Sequence, residues 1–272
     1  MPFTALFHDA LLFVASVAAG AINAVAGGGT LLTFPALIAA GQVLKVASAT
    51  STTALWPGQA SSLWGLRREV RDALRGRSVA VAQLLLIGMV GGGIGAFLFL
   101  RTPQTAFGRV VPFLILLSVV LFLAQESLAN RRAALLDKED AGDTDTLRLS
   151  VPVALFLLGI AVYGGYFGAG IGILTLAALG MLGMRDIHRM NGVKAVFTLG
   201  INAVAATGFA LSGLVNWRIA GLMAAGSLFG GYAGAGVARR IGQANVRRIV
   251  VVTGVLLAAK LFWDMYLSAN PG

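Results

Sequence analysis

Apolar runs of about 20 residues recur from one end of this chain to the other, each long enough to cross a hydrocarbon layer of ~30 Å. The long runs lie at 46–66, 79–100, 107–128, 187–211, 219–238 and 246–267, and shorter ones at 10–26, 30–40, 151–167 and 171–182. Their hydrophobicity is continuous rather than alternating, which argues against an outer-membrane β-barrel. In lipid, a helix satisfies its backbone polar groups within its own segment. The pattern therefore predicts an all-α polytopic membrane protein. Composition agrees: 57% of residues are hydrophobic and 12% charged, about half the roughly 25% charged of a soluble domain.

The net charge of +10 does not point to nucleic acid, because the basic residues sit in short connections between apolar runs. Lys and Arg at span ends mark the cytoplasmic side. The stretch 67–77 carries Arg67, Arg68, Arg71, Arg75 and Arg77, whereas 214–218 carries Arg218 alone. Later the bias reverses, with Arg101 and Arg109 in the first half against Arg239, Arg240, Arg247 and Arg248 in the second. Residues 67–77, the central polar stretch 130–150 and 239–248 are expected to be cytoplasmic. The central stretch, with Asp137, Glu139, Asp140, Asp143 and Asp145, is expected to be a solvated loop or short surface helix. The first basic residue is Lys45, so the apolar stretch 11–19 reads as part of the fold rather than a cleaved signal.

Five apolar segments, a loop and five more suggest a duplication: 1–129 as one transmembrane repeat, 130–150 as the loop and 151–272 as the second repeat. Placing Thr33 over Thr175 brings Gly28 onto Gly170, Leu37 onto Leu179, Gly41 onto Gly183 and Thr52 onto Lys194. Further on, Arg101 falls on Arg240 and Arg109 on Arg248. The opposite charge bias of the two halves then makes them inverted repeats, each with a broken-helix hairpin plus three transmembrane helices.

The hairpin follows from length. A single helix over 10–41 would be roughly 48 Å long at 1.5 Å per residue, too long for one crossing. The chain is therefore expected to break at Gly27–Gly28–Gly29 and again at 168–172 (GAGIG). Irregular backbone at membrane depth is tolerated where it is buried in protein or lines a cavity. A helix starting near Thr30 would aim its positive dipole end and unpaired N–H groups into such a cavity, which suits an anion. The competing reading is that the glycines only permit close helix packing, and that reading is preferred for Gly91–Gly95 and Gly230–Gly236.

The stretches NAVAGGGTLLTFPALIAAG (23–41), ASATSTTALWP (47–57) and GGYFGAGIGILTLAALGMLG (164–183) resemble the sulfite exporter TauE/SafE family. The resemblance extends over essentially the whole chain in length and repeat plan. It implies a bacterial inner-membrane, multi-pass permease for sulfur-containing anions such as sulfite or organosulfonates. HRMNGVKAV (188–196) departs from the Ala/Ser/Thr pattern of the first half, so the halves are expected to contribute unequally.

Polar groups at membrane depth are costly and tend to be functional. The expected substrate-binding set is Asn23, Gly28, Gly29, Thr30, Ser51, Thr52, Gln59, Gly170, Gly172, Asn191, Lys194, Thr198 and Asn202. Asn191, Lys194 and Thr198 share a helix face by spacing. Lys194 is the candidate to pair with an anion, or else a lysine snorkelling from near a helix end. The four tryptophans fall mostly near span ends, as interface anchors do. The chain contains no cysteine, and its carboxylates lie in loops or near span ends. No catalytic centre, metal or cofactor is expected. The expected partners are a small anion and the lipid bilayer, and a homo-oligomer is compatible with the sequence. Other readings are a permease for another organic anion, a membrane scaffold or assembly factor, and an intramembrane enzyme.

Overall fold

The computed structural model describes residues 2–25, 27–65, 67–74, 78–136, 151–181, 184, 186–241 and 243–267. Among them are eleven α-helices and no strand. The first half contains α1 (Pro2–Val25), α2 (Thr30–Ala39), α3 (Leu44–Gly65), α4 (Arg67–Leu74), α5 (Ser78–Arg101) and α6 (Gln104–Leu136). The second contains α7 (Val151–Tyr166), α8 (Ile171–Met181), α9 (Ile187–Leu211), α10 (Trp217–Ile241) and α11 (Gln243–Phe262), which closes in a π-helical turn at Trp263–Leu267.

The apolar runs become the helices, with informative differences at the ends. α1 starts at Pro2 rather than near residue 10; proline is pre-organised for a first helical position, where its missing N–H costs nothing. The added turns carry Asp9, which pairs with Arg218 at the start of α10. The connection 67–77 contains a helix, α4, instead of plain loop. Its Arg67, Arg68 and Arg71 are exposed while Val70 is half-buried, so a polar face carries the charges and an apolar one packs inward. Arg75 and Arg77 lie outside the described residues. The first residues of the central polar stretch continue α6 to Leu136; the remainder, 137–150, also lies outside. At the start of α9, the Asp186 carboxylate accepts the His188 backbone N–H at 2.8 Å, which caps the helix.

Helix directions follow from which residues meet. Gly20, Gly226 and Gly230 bring α1 and α10 into backbone contact, with Ser16 near Gly226 and Gly20 near Ser227 and Gly231. Along α3 and α10, Ala54 meets Ser227 and Ser61 meets Gly231. Numbers rise together in both pairs, so α1, α3 and α10 run parallel. Gly91 lies on Ala161 and Gly95 on Val162, while Gly88 meets Phe197 and Gly93 meets Val204; α5, α7 and α9 therefore also run parallel. Lys45 at the start of α3 donates to the carbonyls of Leu100 and Thr102 at the end of α5, at 3.2 and 2.8 Å. The two three-helix sets thus run in opposite directions. Exchanging α1, α2, α3, α5 and α6 for α7, α8, α9, α10 and α11 maps packed pairs onto packed pairs: α1 on α10 becomes α7 on α5, α3 on α10 becomes α9 on α5, and α2 on α11 becomes α8 on α6. The arginine-bearing α4, the start of α9 and the end of α10 consequently lie at one end of the bundle.

The glycine runs sit in these seams. A Cβ on Gly95 would fall on the Val162 carbonyl oxygen and 2.7 Å from the Tyr166 nitrogen. Backbone cannot rotate aside as a side chain can. Gly95→Leu is therefore expected to abolish accumulation of folded protein. Gly159→Leu should behave as wild type, because a Cβ on that exposed glycine meets nothing within 4 Å. Size-exclusion profiles and melting curves in detergent check the pair.

Candidate functional site

Both expected breaks are present, and they are built alike. Gly27 has φ +81°, and its N–H closes the last turn of α1 by donating to the Ile22 carbonyl at 3.0 Å. The Gly29 carbonyl then opens α2, accepting from Leu32 at 2.9 Å and Thr33 at 3.2 Å. In the second half Gly168 has φ +77° and donates to the Tyr163 carbonyl at 3.3 Å, while the Gly170 carbonyl accepts from Ile173 at 3.0 Å and Leu174 at 3.2 Å. The equivalent pairs are Gly27 with Gly168 and Gly29 with Gly170, one residue away from the expected register of Gly28 on Gly170. The threonines explain the slip. Thr33 Oγ1 bonds the Gly29 carbonyl whereas Thr175 Oγ1 bonds that of Ile171, so they occupy different rungs although they align by identity.

The breaks touch. A Cβ on Gly27 would stand 2.5 Å from the Gly172 Cα and 3.0 Å from its nitrogen. Only glycine tolerates both this approach and the left-handed φ.

Around the contact lies a cavity. Its wall comes from Asn23 of α1, Thr30 of α2, Thr52, Leu55 and Gln59 of α3, and Lys194, Thr198 and Asn202 of α9; Gly27, Gly168, Ile171 and Gly172 complete it at the breaks. It leaves about 30 Å³ for the centres of water-sized molecules, room for roughly two or three waters or one compact ion. Lys194 is 2% exposed and is the only ionisable side chain in the lining among the described residues. The Asn23 carboxamide oxygen accepts the Gly29 N–H at 2.8 Å, which leaves its amino group for the cavity. Asn202 Nδ2 donates to Gln59 Oε1 at 3.0 Å, joining α9 to α3. Thr198 Oγ1 donates to the Lys194 carbonyl at 2.9 Å. Among the described residues the lining thus gathers an ammonium, three carboxamides and three hydroxyls, groups able to donate hydrogen bonds to a small anion.

The structure brings together Asn23, Thr30, Thr52, Gln59, Gly172, Lys194, Thr198 and Asn202 from the expected set. The others stand off the cavity. Gly28 is buried against the Phe122 ring, and Gly29 packs on Asn23 and the Ala19 carbonyl. Gly170, at φ +76°, faces Ser118. Ser51 Oγ is 2.6 Å from Thr33 Oγ1 and ties α3 to α2. Asn191 lies one turn before Lys194, with its buried Oδ1 unpartnered among the described residues. The expectation of bare amides at the helix starts is corrected for four amides of the first break. The N–H groups of Gly29, Leu31, Leu32 and Thr33 are all donated, to Asn23 and to the Gly28 and Gly29 carbonyls, because a tight i→i+3 turn satisfies the first amides of the helix. Trp56 differs from the other tryptophans: its Nε1 is buried in mid-helix without a partner among the described residues, whereas Trp64, Trp217 and Trp263 are 60–65% exposed.

A family model described as "Sulfite exporter TauE/SafE" matches residues 12–261 of the chain. A "Probable membrane transporter protein" of Haemophilus influenzae is 29% identical over 260 residues, covering 94% of each chain. "Probable membrane transporter protein YfcA" of Escherichia coli K12 is 27% identical over 94% of this chain and 90% of its own length. "Probable membrane transporter protein YunE" of Bacillus subtilis is 25% identical over 95% and 98%. No solved structure matches the chain.

Proposed function

The chain belongs to the sulfite exporter TauE/SafE family, and from that membership we propose that this multi-pass inner-membrane transporter carries a small sulfur-containing anion through the cavity between its two glycine breaks. The observation that carries the proposal is Lys194, buried in the wall of a cavity beside the carboxamides of Asn23, Gln59 and Asn202 and the hydroxyls of Thr30, Thr52 and Thr198. Sulfite or a short organosulfonate suits the space. Asn23, Thr30, Thr52, Gln59, Thr198 and Asn202 supply hydrogen bonds, and Gly27, Gly168 and Gly172 supply a main-chain floor. The pairing of oppositely directed helix sets supports two inverted repeats that rock about this site in alternating access. An anion leaving a cell that is negative inside gains about 2.3 kcal/mol per charge per 100 mV, which drives export without a relay of buried acids.

The test is anion-dependent melting of the purified protein, together with flux into proteoliposomes. A ligand at a hundred times its Kd stabilises by about 2.7 kcal/mol, a shift of a few degrees. Sulfite and methanesulfonate are expected to raise the melting temperature, and acetate much less. A scaffold without transport activity would respond to none of them. A permease for another organic anion would prefer the carboxylate.

A further inference from the structure

The two breaks share their backbone geometry but are held in place differently, and the difference falls on Asn23. At the second break the Ala169 carbonyl accepts from Tyr163 OH at 2.7 Å and from Ser118 Oγ at 3.1 Å, and these hydroxyls lie 2.8 Å from each other. Neither residue lines the cavity. Ser118 is fully buried, on α6. This break is therefore tied from behind, by groups that a bound ion does not touch. In the structural register Tyr163 corresponds to Ile22, which has no hydroxyl, and Arg109 over Arg248 places Ser118 over Leu257. The corresponding first-half tip, Gly28, meets the Phe122 ring instead. The first break is also held from behind, by Thr33 Oγ1 on the Gly29 carbonyl at 3.3 Å with Ser51 Oγ 2.6 Å from that hydroxyl, but it has a further tie, Asn23 Oδ1 on the Gly29 N–H, and Asn23 lines the cavity. Its counterpart in the second half is Gly164, whose place is filled by Ile171.

We infer that Asn23 is a positioning residue that couples occupancy of the cavity to the first break alone, leaving the second break as a fixed wall. Its carboxamide is the link. The amino group meets the anion while the oxygen holds the Gly29 amide, so fixing one end of the planar group fixes the other. Cavity occupancy tightens the turn at Gly27–Gly29 and leaves Gly168–Gly170 unchanged. Alternating access then proceeds by movement of α1 and α2 against a stationary α7 and α8.

This inference rests on the anion-transport reading, and the experiment separates the two. Amide hydrogen exchange is followed by mass spectrometry on the full-length protein in detergent, with and without saturating sodium sulfite. Sulfite affinity is measured separately by thermal shift. In wild type, sulfite is expected to slow exchange over 23–33 at least threefold and to leave 163–174 unchanged. Asn23→Asp keeps an acceptor for the Gly29 amide but presents negative charge to the anion. Its unliganded exchange over 23–33 should match wild type within twofold, while sulfite affinity falls at least tenfold. Asn23→Ala should lose both protection and response. Ser118→Ala should speed exchange at 163–174 and leave sulfite affinity within threefold. Bound sulfite that slows both breaks equally, only the second, or neither overturns the inference, as does an Asn23→Asp protein of undiminished affinity. If sulfite does not bind wild type at all, the anion reading falls and takes this inference with it.

Discussion

Gly27→Ala is expected to reduce sulfite flux in proteoliposomes at least tenfold while the protein still inserts and can be purified. Two costs fall on one methyl group. The left-handed φ of +81° disfavours any residue with a Cβ by about 1–2 kcal/mol. The Cβ would also stand 2.5 Å from the Gly172 Cα, a backbone atom with no rotamer to change. The breaks must part, and the cavity between them loses its shape before the surrounding helices lose their packing. Gly27→Val should be worse. Gly41→Ala is the informative control. Gly41 has the same φ of +81°, but a Cβ there meets nothing within 4 Å, so that variant bears the conformational cost alone. It is expected to lose a few degrees in melting temperature and to keep most of its flux. Equal loss of flux in both variants would remove the contact between the breaks from the mechanism.

Lys194→Met is expected to weaken sulfite binding by about 10- to 100-fold and leave the fold intact. A hydrogen bond to a charged group contributes about 1.5–3 kcal/mol, and every 1.4 kcal/mol is a factor of ten in affinity. Methionine preserves the length and apolar stem of the side chain, so the α3–α9 seam keeps its volume. Lys194→Arg should rescue poorly, because a planar guanidinium needs more room than the cavity offers. Thermal-shift titrations with sulfite give the affinities. A Lys194→Met protein with sulfite affinity within twofold of wild type would dismiss the ammonium as a ligand.

The fold was legible because lipid leaves a chain few choices. Apolar runs had to become helices, and the limit on crossing length demands a break at Gly27–Gly29 and at 168–172. Packing glycines were legible at Gly91–Gly95, where α5 meets α7 and α9. Thr52 and Lys194 could be assigned to the cavity because polarity stands out in an apolar helix. Leu55 and Ile171 could not, since one aliphatic residue among many carries no mark of the cavity it faces. Asn191 shows the limit of periodicity: spacing gives the face of a helix but not the depth at which the cavity ends. Ser51 was misplaced for a related reason, because a hydroxyl at the right depth serves as well to bond Thr33 as to meet a guest. α4 is not legible because five arginines within the eleven residues 67–77 read as a loop, and its few apolar residues are too sparse to declare a helix.

The floor of the cavity, where Gly27 abuts Gly172, is made of main chain alone. Such a surface resists retuning by substitution, since a Cβ on Gly27 would stand 2.5 Å from the Gly172 Cα. On the proposed reading, changes in what the protein accepts come from the walls, at positions such as Thr30, Thr52, Leu55 and Ile171. Those four positions are where divergence among descendants of this chain, or a designer's library, can alter cargo without dismantling the machine.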